Sequence, residues 1–145
     1  MQLSANFTRE ELCYSKKAVE IGLANIPNDN QTARLAVLAR RVLQVIRDRW
    51  GRVVSISGFR CPELNRIVGG EATSQHMHGD ADDFHTPDAD LLEVFNWCRA
   101  GGVDFDQLIW EGTWIHISYR SPEENRHEVL RCVRDGTGKH YLPVN

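Results

Sequence analysis

Apolar residues recur at helical spacing between Thr32 and Arg49. They lie three or four positions apart and therefore share one face of a helix, with polar residues on the other faces. The positions on the apolar face are Leu35, Leu38, Ala39, Val42 and Ile46. The pattern predicts an amphipathic helix that packs on the core and stops at Gly51.

Shorter elements follow from turn and capping residues. Thr8 and Glu11 have the spacing of a capping box, which predicts a short helix from about Arg9. Glycine, proline and serine clusters divide the chain further. The predicted elements are a buried strand from Val53 to Ile56, a helix from Glu63 to Val68, a loop from Gly69 to Asp80, a strand from Ala81 to His85, and a helix opened by Thr86–Pro87 and ended by Gly101–Gly102.

Two short strands, Asp106 to Glu111 and Trp114 to Tyr119, are separated only by Gly112–Thr113. A two-residue loop with glycine first is typical of a tight β-hairpin. In this register Ile109 faces His116. Because side chains two apart share a face of a strand, Glu111 projects from the same side of the hairpin as His116.

A last strand is predicted from Val129 to Val133. Helices before and among hairpin-linked strands indicate an α+β fold with a mainly antiparallel sheet. The length of 145 residues suits one domain, so we expect residues 1–145 to form a single unit.

Composition and charge narrow the possible partners. The formal net charge is -3, with Lys and Arg scattered, so no basic footprint indicates nucleic acid or an anionic membrane. The start, MQLSANFTREEL, has no signal-peptide pattern, and no apolar run has the ~20 residues of a membrane span. We therefore expect synthesis in the cytoplasm without a signal peptide, no membrane insertion and a monomeric protein.

The four cysteines contain no C-x-x-C pair, which disfavours a zinc site built on thiolates. The simplest interpretation is four free thiols, although a disulfide stays open.

The stretch from Ser74 to Asp83 concentrates polar chemistry, with two histidines and three aspartates between apolar segments. Another histidine, His116, stands in the middle of a strand otherwise built for burial. Taken singly, His76 can be an ordinary loop histidine, and His116 a core histidine with satisfied hydrogen bonds. Alternation along the strand lets only one of Asp82 and Asp83 point inward.

A pattern S-x-H-x-x-G-x-A-x-D is filled by Ser74, His76, Gly79, Ala81 and Asp83, and a W-I-H-I-S strand follows it. Together with the segments Ser57–Asn65 and Phe105–Ile109, this resembles the zinc D-alanyl-D-alanine carboxypeptidase family. That family shares its fold with the Hedgehog signalling domain and with vancomycin-resistance D-Ala-D-Ala dipeptidases. The resemblance spans about Phe7 to Tyr119 and implies a Hedgehog/DD-peptidase-like fold.

The resemblance implies roles residue by residue. His76, Asp83 and His116 match the ligands of one zinc ion, and Asp83 is favoured over Asp82. Arg60 matches the arginine that stabilises the oxyanion or binds the peptide. Its other interpretation is a plain salt-bridge partner.

The same resemblance puts Ser74 and Gln75 beside the substrate. Relatives place the catalytic acid three residues before the last histidine, where this chain has Thr113, which cannot act as a base. Glu111 lies on the face of His116 and is the substitute, unless it is only a solvated charge at the hairpin end.

The predicted function is zinc-dependent hydrolysis of peptidoglycan stem peptides, most simply at D-Ala-D-Ala. An alternative is a cell-wall endopeptidase of the L-Ala-D-Glu type. Another is a zinc-containing binding module without catalysis, which the threonine at the usual acid position keeps open. A substrate outside the cytoplasm and no signal peptide together suggest a phage endolysin that acts on the bacterial cell wall.

Overall fold

A six-stranded sheet forms the centre of the computed structural model, which describes all residues from Met1 to Asn145. The strands are β1 (Val54–Ser57), β2 (Ala81–His85), β3 (Gln107–Trp110), β4 (Ile115–Ser118), β5 (Glu128–Asp135) and β6 (Gly138–Pro143). Their order is β1-β2-β4-β3-β5-β6. Only the β3–β5 pair is parallel, so the predicted α+β fold with a mainly antiparallel sheet is confirmed.

Six short helices accompany the sheet. They are α1 (Arg9–Cys13), α2 (Lys16–Glu20), α3 (Asp29–Leu38), α4 (Gln44–Trp50), α5 (Pro62–Ile67) and α6 (Leu91–Trp97). A π-helical turn, Ala39–Leu43, joins α3 to α4, so the predicted long helix is confirmed but begins earlier. Asn28 and Gln31 form a reciprocal capping box at its start.

The apolar face of this helical segment is the largest contribution to the core. All five residues of the predicted stripe are at most 1% exposed. They pack against the apolar sides of β2, β3 and β4 and against α6 in one cluster of buried residues. The cluster covers one face of the sheet and leaves the other face of β2, β3 and β4 free to present polar side chains.

The N-terminal caps of α1 and α6 can be compared with the caps predicted from the sequence. Thr8 caps α1 by accepting a hydrogen bond from the backbone of Glu11, as predicted. The start of α6 is different, because Asp90 and not Thr86–Pro87 provides the cap. The hydroxyl of Thr86 instead donates to the carbonyl of Ala89 and closes a turn before the helix.

The hairpin register is confirmed, with Ile109 opposite His116 and Leu108 opposite Ile117. The expectation of a buried strand from Val53 to Ile56 holds only for Val53, which belongs to the core, and is wrong for the strand itself. Val54 is 38% and Ile56 51% exposed, because β1 pairs only with β2 and forms an edge of the sheet. Strand β6 was not predicted, although Asp135–Gly136 is a turn signal between β5 and β6.

No helix is both long and apolar enough to cross a membrane. The four cysteines form no disulfide with one another, and Cys98 is fully buried. Burial raises the pKa of the Cys98 thiol to about 12.

Candidate metal centre

His76, Asp83 and His116 come together on the face of the sheet that points away from the core. Asp83 on β2 and His116 on β4 are direct cross-strand partners, which brings their side chains within contact distance. His76 belongs to a 3₁₀ turn, Gln75–His78, that precedes β2. One potential ligand atom from each residue lies within 4.8 Å of the others.

The interatomic distances come close to those of a tetrahedral zinc site, although the shorter one is the length of a direct hydrogen bond between His116 and Asp83. Asp83 Oδ1 lies 3.4 Å from His76 Nε2 and 2.9 Å from His116 Nδ1. With bonds of about 2.0–2.2 Å, tetrahedral ligands are separated by roughly 3.3 Å. Two imidazoles and a carboxylate are also the donor set that zinc accepts in catalytic sites. The three residues therefore fit the metal that the sequence resemblance implies.

The protonation states suit metal binding as well. Burial lowers the pKa of His76, with Asp83 acting in the opposite sense. Burial alone would raise the pKa of Asp83, but the adjacent His116 and His76 hold it well below its usual range. A neutral imidazole and an ionised carboxylate are the forms that coordinate a cation.

The turn that carries His76 is held from several sides. Ser74 caps it by accepting a hydrogen bond from the backbone N–H of His76 at 3.2 Å. Gly79 follows in the left-handed region with φ +80°, and a Cβ there would lie 2.5 Å from the carbonyl oxygen of Gln31. Only glycine therefore allows the chain to turn this closely past the long helix and into β2.

Gln75 is held in place by a buried carboxylate. Its side-chain amide donates to Asp106 Oδ2 at 2.9 Å. Asp106 is fully buried and also accepts hydrogen bonds from the guanidinium of Arg126, the shortest at 2.8 Å. Burial alone would raise the pKa of Asp106, but the hydrogen bonds from Arg126 and Gln75 lower it.

A groove of about 1110 Å³ surrounds the three candidate ligands. Arg60, Ser74, Gln75 and Glu111 all line it, so every residue assigned from the sequence faces one space. Thr113 is exposed and does not line the groove.

The guanidinium of Arg60 makes few hydrogen bonds within the protein. Its buried Nε has no hydrogen-bond partner, and Nη2 makes only a long contact of 3.4 Å with Ser74 Oγ. Burial lowers the pKa of the guanidinium, and the charge of Asp83 acts against this effect. A buried donor without a partner is uncommon in folded proteins. Because Nε is buried, the part of the guanidinium that a ligand in the groove could contact is its Nη end, which makes only the long contact with Ser74.

The remaining acidic and histidine candidates lie elsewhere. Asp82 points to the other face of β2, where Ser55 Oγ donates to its Oδ1 at 2.5 Å. Burial raises the pKa of Asp82 well above its usual range. His78 lines the groove but is exposed and does not join the ligand group.

Sequence reasoning missed the part of the groove that the C-terminal hairpin provides. Lys139 and Tyr141 on β6 line the groove, and the Tyr141 hydroxyl contacts the carboxylate of Glu111. The buried carboxylate of Asp106 was also missed as an anchor, because a single aspartate at a strand start carries no special sequence signal.

Comparison with known families gives one result for this chain. A family profile described as peptidase M15 matches residues 5–118, most of the chain, including all three candidate ligands. No curated protein matches it.

Proposed function

The chain belongs to the peptidase M15 family and is a metallopeptidase, and from this premise we propose that it hydrolyses peptidoglycan stem peptides with one bound zinc ion. The observation that carries the proposal is the convergence of His76, Asp83 and His116, from a turn and two strands, on the floor of one groove. The donor spacing and chemistry of these residues suit zinc, and the groove gives room for a peptide.

In this proposal His76, Asp83 and His116 hold the metal. When bound, zinc supplies Lewis-acid polarisation of the scissile carbonyl and lowers the pKa of water toward ~7. Two further charged side chains line the same groove. They are the guanidinium of Arg60 and the carboxylate of Glu111.

Glu111 is the proposed general base. Its side chain is only 7% exposed and lines the groove on the face of the sheet that carries His116. It would take a proton from the attacking water and return it to the leaving amine. Thr113 has neither the chemistry nor the position for this role.

Arg60 is proposed to stabilise the oxyanion that develops on the scissile carbonyl, because it lines the groove and its guanidinium makes only one long internal hydrogen bond, with Ser74. Ser74 and Gln75 lie in the wall beside it and are proposed to contact the peptide. Both already make internal hydrogen bonds, so they would act with the remaining lone pairs of their side-chain oxygens.

The simplest reaction is removal of the terminal residue from D-Ala-D-Ala. An endopeptidase that cuts a bond such as L-Ala-D-Glu is a second candidate. The extent of the groove supports this candidate. Lining residues come both from the loop Gly69–Ser74 and from β3, β5 and β6. The groove volume of about 1110 Å³ is at the upper end of the ~300–1,000 Å³ of small-ligand pockets, which is compatible with a peptide substrate.

We further propose that residues 1–145 act as one monomeric peptidase domain, because β5 and β6 extend the same sheet beyond the matched residues. The place of action would be the bacterial cell wall, where the substrate is found, as for a phage endolysin.

Mass spectrometry of a peptidoglycan digest tests the proposal. Zinc-loaded protein should release free D-Ala if it is a carboxypeptidase, or shortened stem peptides with new internal ends if it is an endopeptidase. The matched control is His116→Ala, incubated identically. A digest with no products from correctly folded, zinc-loaded protein would contradict the proposal and support a binding module.

A further inference from the structure

The C-terminal hairpin, β5 and β6, lies outside the residues that the family profile matches. The match ends at residue 118, whereas β5 begins at Glu128. The hairpin nevertheless contributes to the groove, because Leu130, Lys139 and Tyr141 are among its lining residues. This chain therefore builds part of its groove from a segment beyond the matched region.

Strand register explains how Tyr141 reaches the proposed base. The parallel β3–β5 pairing ends with Trp110 opposite Arg131, so the next residues, Glu111 and Cys132, are neighbours. Cys132 in turn pairs with Tyr141 on β6. Glu111, directly after the end of β3, thus forms a row with Cys132 on β5 and Tyr141 on β6.

The small residue in this row leaves space for the contact. Adjacent strands are about 4.8 Å apart, so β6 is about two strand spacings from the end of β3. Cys132 lies between Tyr141 and Glu111 in this row, and its short side chain is compatible with the contact between them. A large side chain at this position would fill the path.

The contact itself is a long hydrogen bond to a carboxylate. The Tyr141 hydroxyl donates to Glu111, at 3.3 Å from Oε1 and 3.5 Å from Oε2. No other side chain donates to this carboxylate, and Arg134 contacts only the backbone carbonyl of Glu111. Burial raises the pKa of the Tyr141 phenol, and the charge of Glu111 raises it further, so the hydroxyl keeps its proton.

We propose that Tyr141 is a positioning residue whose hydroxyl orients the Glu111 carboxylate in the groove, so that the C-terminal hairpin takes part in hydrolysis. This inference rests on the proposed function of Glu111 as the base. Without the hydroxyl, the carboxylate loses its only side-chain donor and can rotate away from the orientation needed for proton transfer.

Tyr141→Phe tests the inference, because it removes the hydroxyl and keeps the ring. A positioning role predicts a fall in kcat of about tenfold or more, with KM changed by less than about twofold, since a hydrogen bond to a charged group is lost. The matched control is Leu142→Ala on the same strand, which should keep wild-type kcat. A raised KM with normal kcat would overturn the inference and make Tyr141 a substrate contact. An equal loss of kcat in Leu142→Ala would overturn it in favour of a general effect on the hairpin.

The Glu111→Gln background separates this inference from the proposed base. If Tyr141 acts through Glu111, then Tyr141→Phe should have no further effect on the slow residual turnover of Glu111→Gln. An additional tenfold loss there would show an independent role and overturn the inference. If Glu111→Gln hydrolyses slowly while Tyr141→Phe keeps normal turnover, Glu111 remains the base and only the positioning role of Tyr141 is rejected. Near-normal turnover by Glu111→Gln would reject the base, and the role of Tyr141 with it.

Discussion

The backbone carbonyl of Gly58 accepts a hydrogen bond from Nδ1 of His76 at 2.8 Å. A carbonyl can only accept, so Nδ1 carries the proton and Nε2 keeps its lone pair. That Nε2 is the atom that faces Asp83. A neighbouring group that holds a histidine in one tautomer commonly supports a metal ligand in this way.

Replacement of Gly58 should therefore harm both folding and metal binding. A Cβ at this position would lie 2.2 Å from the backbone oxygen of Leu12 and 2.9 Å from Asp82 Oδ1. Gly58→Ala should lower the free energy of unfolding by about 1–3 kcal/mol, because backbone must move. The displaced carbonyl should also weaken zinc binding by roughly 10–100-fold.

Chemical denaturation and a zinc competition titration measure the two effects. Gly136→Ala is the matched control, because a Cβ there meets no atom within 4 Å. If both variants behave like the wild type, the close approach of Gly58 to Leu12 does not constrain the site.

The metal prediction concerns His116. Purified wild-type protein should bind about one zinc per chain, and His116→Ala should lose most of it, because one of three protein ligands is removed. Elemental analysis after dialysis provides the measurement. His140→Ala serves as the control, because His140 is exposed on β6 and contacts only Asp135 and Thr137. Stoichiometric zinc in His116→Ala would exclude this histidine as a ligand.

The base prediction compares Glu111 with Thr113. Glu111→Gln keeps the shape of the side chain but removes its basicity, so it should leave zinc bound and slow hydrolysis by about 10²–10⁴-fold. Thr113→Ala should cost much less, since this exposed residue does not line the groove. Values of kcat and zinc content for both variants decide the matter. Equal losses of activity with zinc intact would attribute the effect to the hairpin and not to the carboxylate.

The ion pair between the buried Asp106 and the half-exposed Arg126 should make stability depend on pH. The pKa of Asp106 is lowered in the folded protein, so its ionised form favours folding above the unfolded value of about 3.9. That contribution is lost as pH falls through the lower, folded pKa. Asp106→Asn should cost about 1–3 kcal/mol at neutral pH and should flatten the fall in stability below about pH 4. Urea unfolding at several pH values checks this, and an unchanged slope would contradict it.

The long helix shows how much local pattern can predict. Its apolar stripe has the helical period, and every residue of that stripe is buried in the core. The hairpin register was also predicted, because a two-residue loop leaves only one way to pair Ile109 with His116. In both cases the determining interactions are between residues close together in sequence.

The first strand shows where the same reasoning fails. Val54 and Ile56 have the composition of a buried strand, yet β1 is an edge of the sheet, and nothing within the segment determines what covers it. For the same reason the choice of Asp83 over Asp82 needed the family motif. The structure provides a physical basis for this choice. Asp83 is the cross-strand partner of His116, whereas Asp82 accepts a hydrogen bond from Ser55 on the other face of β2.

The sequence by itself determined the amphipathic helix, the hairpin and the three polar positions that resemble metal ligands, because each depends on short-range spacing or on a motif. Only the tertiary structure decided which groups surround those positions. The carbonyl of Gly58 behind His76, the anchor of Asp106 under Gln75 and the hydroxyl of Tyr141 on Glu111 each join segments between 18 and 31 residues apart. Such contacts arise from strand order and from the way the loops pack, which no local pattern of residues encodes.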